Sequence, residues 1–290
     1  MLIRVPLHIS GFWVPHITDD PLTTGSLGAG ITLRPWVEAH VAGNGKDEVL
    51  VGSNMLHHGL IECVKNLTGV NLINAKITTP AYLGEGLGFS AALSISLASS
   101  ALLGSGRDLT LARAGVIAHE AEVTMMTGLG DVVAELRGGG LVVRVKPGAP
   151  GVGEVDVCPI RDSINLVACL IRRDLTTPLM LKTYGSKIRE VGGNVFRRFL
   201  KEPSFDRFLE LTREFSKSIF LPSELDSTLM DRLGKYLRSG EVLTYFVKKG
   251  TLAVITSRRP SEELLESIKG LGIRLVGVFE PSLEGTAMLI

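Results

Sequence analysis

Apolar residues recur along this chain in two rhythms, and the switches between them mark out the elements. Spacings of three and four residues predict helices over residues 53–68, 90–103, 109–126, 186–201, 205–219 and 223–239. Short, dense apolar runs predict strands at 31–34, 71–79, 141–145, 164–171, 241–247, 251–257 and 273–279, the last of them read as the final strand. The punctuation agrees. Pro80 ends one strand, Asp108 or Thr110 suits an N-cap, and Ser261 followed by Glu262 and Glu263 opens another helix. Lys248-Lys249-Gly250 reads as a hairpin turn and Pro147-Gly-Ala-Pro-Gly151 as a turn cluster.

Strands separated by helical pieces imply a sheet with helices on one face, an α+β layout. The texture changes near residue 160: 20 of the 33 glycines fall before residue 146, many of them in short clusters. We therefore expect one domain over 1–160 and a second over 161–290.

Composition removes several function classes. With 45% hydrophobic and 21% charged residues the chain can bury a core, and a net charge of +1 does not suit an electrostatic nucleic-acid binder. Cys63, Cys158 and Cys169 lack the spacing of a zinc knuckle or a disulfide framework, so reduced thiols and a cytoplasmic setting are expected. Residues 1–10 lack the apolar core of a signal peptide, and no run approaches the roughly 18 apolar residues of a membrane span.

The sharpest chemical signal is Gly84-x-Gly86-Leu87-Gly88-x-Ser90-Ala91-Ala92, lying between a predicted strand and a predicted helix. Glycines let backbone amides approach an anion without a Cβ in the way, and the following helix adds unpaired N–H groups and the positive end of its dipole. A phosphate cradle is the direct reading. A P-loop is excluded because no Gly-Lys-Ser/Thr follows. A dinucleotide-binding oxidoreductase fits less well: Asp108 lies at the right distance but precedes a helix instead of ending a strand.

Here the chain resembles the GHMP kinases, whose second motif reads Pro-x-Gly-x-Gly-Leu-Gly-Ser-Ser-Ala. Phe89 replaces the first serine, and Pro80 stands two residues further from the glycines than in the motif. Two further stretches narrow the likeness. His8-Ile-Ser-Gly-Phe-Trp13 with Gly25-Ser-Leu-Gly-Ala-Gly30, and Ala118-His-Glu-Ala-Glu-Val123 with Thr127-Gly-Leu-Gly-Asp-Val132, are similar to one branch of that family, the archaeal pantoate kinases. The likeness covers about the first 150 residues. It implies an N-terminal domain of the ribosomal-protein-S5 type, a C-terminal ferredoxin-like domain, transfer of phosphate from ATP to the hydroxyl of pantoate, and a homodimer. Homoserine, shikimate or mevalonate are the alternative acceptors, and a non-catalytic ATP-binding relative is a third possibility.

Carried over by position, the resemblance implies that Gly84, Gly86, Leu87, Gly88, Phe89, Ser90 and Ala91 wrap the ATP phosphates. It further implies that Ser90 and Glu122 hold Mg²⁺, that Asp131 faces the reacting hydroxyl, and that His119 and Arg144 meet pantoate. Physical chemistry is compatible with each role. Mg²⁺ takes only one or two oxygens from protein. A carboxylate at the end of Thr127-Gly-Leu-Gly130 can project into a cleft, either to accept the alcohol proton or to orient the alcohol. A guanidinium can grip a carboxylate through two parallel hydrogen bonds. Glu120 is the fallback for Glu122, since two residues apart on a helix they face different sides. His57-His58 reads as a surface pair, and residues 242–255, with one glycine where the family carries a third glycine-rich motif, offer no site residue.

Overall fold

A computed structural model describes residues 1–160 and 163–289; residue 161, the predicted start of the second domain, lies outside the described residues. In chain order the elements are β1 (Leu2–His16), β2 (Gly25–Ala42), β3 (Glu48–Val51), β4 (Asn54–Met55), α1 (Gly59–Thr68), β5 (Asn74–Thr78), α2 (Phe89–Gly104), α3 (Leu111–Thr124), α4 (Asp131–Arg137), β6 (Leu141–Lys146), β7 (Glu154–Cys158) and β8 (Asn165–Leu170). There follow α5 (Thr177–Lys201), α6 (Phe205–Ile219), α7 (Ser223–Arg238), β9 (Val242–Lys248), β10 (Thr251–Thr256), α8 (Glu262–Lys269), β11 (Arg274–Pro281) and β12 (Ala287–Leu289).

The long strand β2 is the hub. It pairs antiparallel with β1 along most of its length, with β6 through Gly28–Ile31, with β11 through Leu33 and Arg34, and with β5 through Glu38–Ala42. Strand β11 also pairs with β8, and β8 with β10 and β10 with β9, so the strands of the second half join the first-half sheet through β11. The expected final strand is therefore second to last: β12 follows it and pairs with β1.

Helix α2 explains how four serines sit in the most apolar part of the sequence. Its small side chains let it lie close to β1, β2 and β5, so Ser96 and Ser99 are buried. Each donates to the carbonyl four residues back, Ala92 and Ile95, at 2.8 Å. Ser100 instead donates to Ala42 O at 2.8 Å and accepts from Asn74 N at 2.9 Å, tying the helix to the sheet edge.

Helices α5 and α6 cover β1. Phe12 meets Phe199 and Phe208 at ring-centroid distances of 5.4 and 5.8 Å, and Trp13 meets Phe215 and Phe220 at 4.9 and 5.5 Å. Gly192 lets α5 descend this far: a Cβ there would stand 2.2 Å from Trp13 O. The turn of α5 begins at N-cap Thr176, with Pro178 in the first turn, well before the predicted start at 186. Gly185, Gly192 and Gly193 break its apolar rhythm. Helix α1 starts later than predicted, at Gly59, because residues 54–55 pair with β3 at the edge of the sheet. The glycine stretch 25–30, expected to precede a strand, lies within β2. Among the described residues no helix is long and apolar enough to cross a membrane, and all three cysteines are free and buried.

Candidate active site

The site lies where β1, β2 and β6 face the loop before α4 and the β9–β10 hairpin. Arg144 on β6 pairs across the sheet with Gly28 of β2, and His8 on β1 with Thr32 of β2. Both side chains are buried beside glycine on β2. A Cβ at Gly30 would come within 2.3 Å of His8 Nε2, and one at Gly28 would strike Phe12 O at 2.3 Å and crowd Arg144 Nη2 at 3.1 Å. The loop 127–131 is built on the same rule. A Cβ at Gly128 would lie 2.3 Å from Glu122 Oε2, and one at Gly130 would lie 2.8 Å from Arg144 Nε. These glycines leave room for polar side chains, which ordinary turns would not require.

Asp131 is the first residue of α4. Its Oδ1 lies 2.6 Å from His8 Nδ1 and 3.8 Å from Lys248 Nζ. Burial alone would push the Asp131 carboxyl up, but the Lys248 charge, the His8 hydrogen bond and the Arg144 charge outweigh it and hold the carboxyl well below the usual range. For His8 burial dominates and lowers the imidazole to about 4, so the ring is neutral near pH 7. Neutral His8 then has one tautomer that satisfies both neighbours. Nδ1–H donates to Asp131, and Nε2 accepts from Arg144 Nη1 at 3.4 Å. Arg144 Nη2 donates to Ser10 Oγ at 3.3 Å, while its buried Nε has no acceptor within the protein.

Two cavities meet at Asp131. The larger, of about 380 Å³, is bounded by Gly84, Gly86, Leu87, Gly88, Phe89 and Ser90. The smaller, of about 40 Å³, is bounded by Ser10, Trp13, Ser26, Leu129, Arg144 and Met180. Asp131, Thr127, Thr177, Lys248 and Lys249 line both. The glycine loop bends as its composition requires, with φ of 84°, 68° and 81° at Gly84, Gly86 and Gly88. A Cβ at Gly88 would stand 2.2 Å from the buried Glu135 Oε1, so this position is closed to larger residues on both counts. Gly88 caps α2 without a side-chain hydrogen bond, and its carbonyl accepts from Ala91 N at 2.8 Å, so the amides of the helix that precede Ala91 are the ones that can meet a ligand at this end of the cavity.

Glu122 on α3 is buried, and its carboxylate reaches the loop helix. Ser90 Oγ donates to Oε2 at 3.1 Å and Thr127 Oγ1 to Oε1 at 2.5 Å. Burial, reinforced by the Asp131 charge, pushes Glu122 up to about 7 against the pull of those hydroxyls. Glu120 is half-buried and makes no such approach. Among the described residues there is no cluster of three His, Cys, Asp or Glu side chains able to hold a metal on their own. Ala91 lies at the start of α2, buried in the core.

His119 stands apart from the other predicted site residues. It is buried on α3, and its Nε2 lies 2.9 Å from Thr24 O and 3.2 Å from Pro21 O. It anchors the 21–24 loop and lines neither cavity. His58 caps α1 by accepting from Leu60 N at 3.3 Å and borders the larger cavity, so it is more than half of a surface pair.

No family model matches the chain. A pantoate kinase from Thermococcus kodakarensis is 34% identical over 273 residues, 88% of this chain and 88% of the relative. The chain belongs to the pantoate kinase family. A solved structure described as a phosphotransferase related to the CoA biosynthesis pathway superposes with a TM-score of 0.75 at 26% identity, covering 99% of this chain and 98% of that one. Mevalonate diphosphate decarboxylase from Staphylococcus aureus, at 12% identity, shares the fold alone, with a TM-score of 0.67 over 100% of this chain and 97% of its own. The fold is that of the GHMP kinases.

Within this family member, sequence reasoning missed His8, Lys248, Lys249 and Glu135. His8 stands in the sequence only as one member of the 8–13 motif, with nothing local to mark its chemistry. Lys248 and Lys249 read as turn residues, yet the hairpin tip carries both into the cavities, and Lys249 takes φ of 55°, unusual outside glycine. Lys249 Nζ donates to Thr177 Oγ1 at 2.6 Å, and burial first, then the neighbouring Lys248 charge, lowers it to about 8. Glu135 is one helical turn beyond Asp131; burial, aided by the Asp131 and Glu122 charges, raises it well above the usual range, and neither carboxyl oxygen has a partner. Proton NMR titration should find one histidine with a midpoint near 4, abolished by His8→Asn. A midpoint near the ordinary 6.5 for His8 would contradict its burial against Arg144.

Proposed function

We propose that this protein transfers the terminal phosphate of ATP to the hydroxyl of pantoate, giving 4-phosphopantoate, the route to coenzyme A implied by its relatives. The observation that carries this reading is the meeting of two cavities at Asp131. One has a glycine loop and a helix N-terminus suited to a triphosphate, and the other has a buried guanidinium with an unused N–H suited to a small carboxylate.

The charge balance supports anionic reactants. Arg144, Lys248 and Lys249 bring three cationic side chains to a site whose ionised partner is Asp131, an excess that anions would neutralise. The small cavity also offers an apolar wall of Trp13, Leu129 and Met180, which suits the dimethyl carbon of pantoate.

Mg²⁺ would enter with ATP and neutralise charge developing on the phosphates. The residues fit it. Two neighbouring ligands of an octahedron with bonds of about 2.1 Å stand about 3 Å apart, and Ser90 Oγ and Glu122 Oε2 are 3.1 Å apart. Thr127 Oγ1 holds the second Glu122 oxygen and fixes the carboxylate. Gly84, Gly86, Leu87, Gly88, Phe89 and Ser90 cradle the phosphates.

Asp131 is held too far below the usual range to be a strong base, so its part is to accept a hydrogen bond from the alcohol and aim its lone pair. Phosphoryl transfer through a loose transition state demands little more: the bond from the γ-phosphorus to the ADP oxygen breaks as the new P–O bond forms, and only then does the alcohol oxygen, made acidic, release its proton through Asp131 to water. His8 holds Asp131 from behind in one orientation.

An acceptor panel of pantoate, homoserine, mevalonate and shikimate, scored by ADP release, tests the assignment. Pantoate should be the preferred acceptor, and no ADP above background with pantoate alongside turnover of another alcohol would move the substrate elsewhere. The pH profile tests Lys249. It is protonated below about 8 and neutral above, so kcat/KM should fall as pH rises through about 8. In Lys249→Met this alkaline limb should vanish and kcat/KM should be low throughout; an unchanged limb would remove Lys249 from phosphate binding.

A further inference from the structure

We propose that Glu85, in the middle of the glycine loop, is a positioning residue that latches the loop to the second half of the chain and presets it for nucleotide. The inference rests on the phosphate-binding role given to the loop above, and assigns a residue that the motif itself leaves unspecified. Glycine-rich segments are conformationally permissive, which lets them bend around phosphates and also leaves them many other conformations. Something outside the loop must select one, and the structure supplies it at Glu85.

The Glu85 side chain is 0% exposed although it belongs to a surface loop. Its Oε1 accepts from Arg173 Nη2 at 2.7 Å and also from Arg274 Nη2. Its Oε2 accepts from Tyr82 N at 2.8 Å, closing the loop on itself. Its main-chain carbonyl accepts from Thr251 Oγ1 at 2.7 Å. Arg173 follows β8, Thr251 begins β10 and Arg274 begins β11, so three separate segments of the second half converge on one residue of the loop. Gly86 lies against the same surface, where a Cβ would meet Lys248 O and Thr251 Oγ1 at 3.5 Å.

A buried carboxylate between two guanidinium groups is a poor source of net stability, since desolvation offsets most of the attraction, but it specifies geometry sharply. Fixing the loop before the ligand arrives removes part of the ordering cost of binding. The same contacts hold the Lys248-Lys249 hairpin tip against the loop, so the latch aligns the two sides of the larger cavity. The two arginines are not equivalent. Arg173 borders the cavity and could touch nucleotide directly, whereas Arg274 does not and reaches the site only through Glu85.

Calorimetric titration of Mg²⁺–ATP and, separately, of pantoate into wild type, Glu85→Gln, Arg274→Gln and the double variant tests the latch, at a temperature where circular dichroism shows each to be folded. Mg²⁺–ATP should bind about tenfold more weakly to each single variant, the loss of a charge-assisted contact, with pantoate affinity unchanged. The double variant should be no weaker than Glu85→Gln, because both act through one contact. Mg²⁺–ATP affinity within twofold of wild type in Arg274→Gln would overturn the latch, as would equal weakening of both ligands together with a lower unfolding temperature, the mark of a merely structural ion pair. Should Glu85→Gln fail to fold, Arg274→Gln decides alone, since that side chain is half exposed. Failure of wild type to bind Mg²⁺–ATP would sink the nucleotide reading itself, and is distinguishable from an equal affinity across variants.

Discussion

The structure turns on keeping Asp131 ionised inside the protein. A buried carboxylate is costly unless it is paired and hydrogen-bonded, and here the partners come from distant parts of the chain: His8 from the first strand and Lys248 from the hairpin tip, with Arg144 behind them on a third strand. Each neighbour constrains the next. His8 must stay neutral to donate through Nδ1 and accept through Nε2, and its burial, with the Arg144 and Lys248 charges, keeps it so against the pull of the Asp131 carboxylate. Removal of one member would leave another charge without compensation, which is why the cluster acts as a unit.

That cluster dictates much of the surrounding backbone. Gly28, Gly30, Gly128 and Gly130 provide the volume that Arg144, His8 and Glu122 fill. Glycine therefore serves two purposes in this chain. In the loop around residue 86 it permits backbone conformations with positive φ and exposes amides; under the charged cluster it gives way to side chains from neighbouring strands.

This distinction also explains what the sequence did and did not disclose. The α2 and α6 helices, the β9–β10 hairpin and the Ser261 cap follow local rules of spacing and capping, and they were legible. Strand β1 does alternate, with Ile3, Val5, Leu7 and Ile9 between Arg4, Pro6, His8 and Ser10, but Pro6 and Gly11 interrupt the pattern and local spacing does not reveal that His8 and Ser10 face a site. Glu122, Asp131 and Arg144 were legible because a family motif marked them, and the structure gathers them around one site. His119, marked the same way, is held by backbone carbonyls in the 21–24 loop. Lys248, Lys249 and Glu85 were not legible, because their importance depends on contacts between residues over 70 positions apart, which no local pattern encodes. Residues 242–255, which offered no site residue in the sequence, supply two of the three cations of the site, and the second half as a whole anchors the glycine loop.

The central claim is that the glycine loop and Arg144 present a triphosphate and a carboxylate to opposite sides of Asp131. A crystal structure with a non-hydrolysable ATP analogue, Mg²⁺ and pantoate tests it most directly. It should show the phosphates against residues 84–90, the metal between Ser90 and Glu122, the pantoate carboxylate on Arg144 and its terminal hydroxyl within hydrogen-bond reach of Asp131. Nucleotide bound away from the glycine loop, or pantoate with its hydroxyl remote from Asp131, would contradict the account.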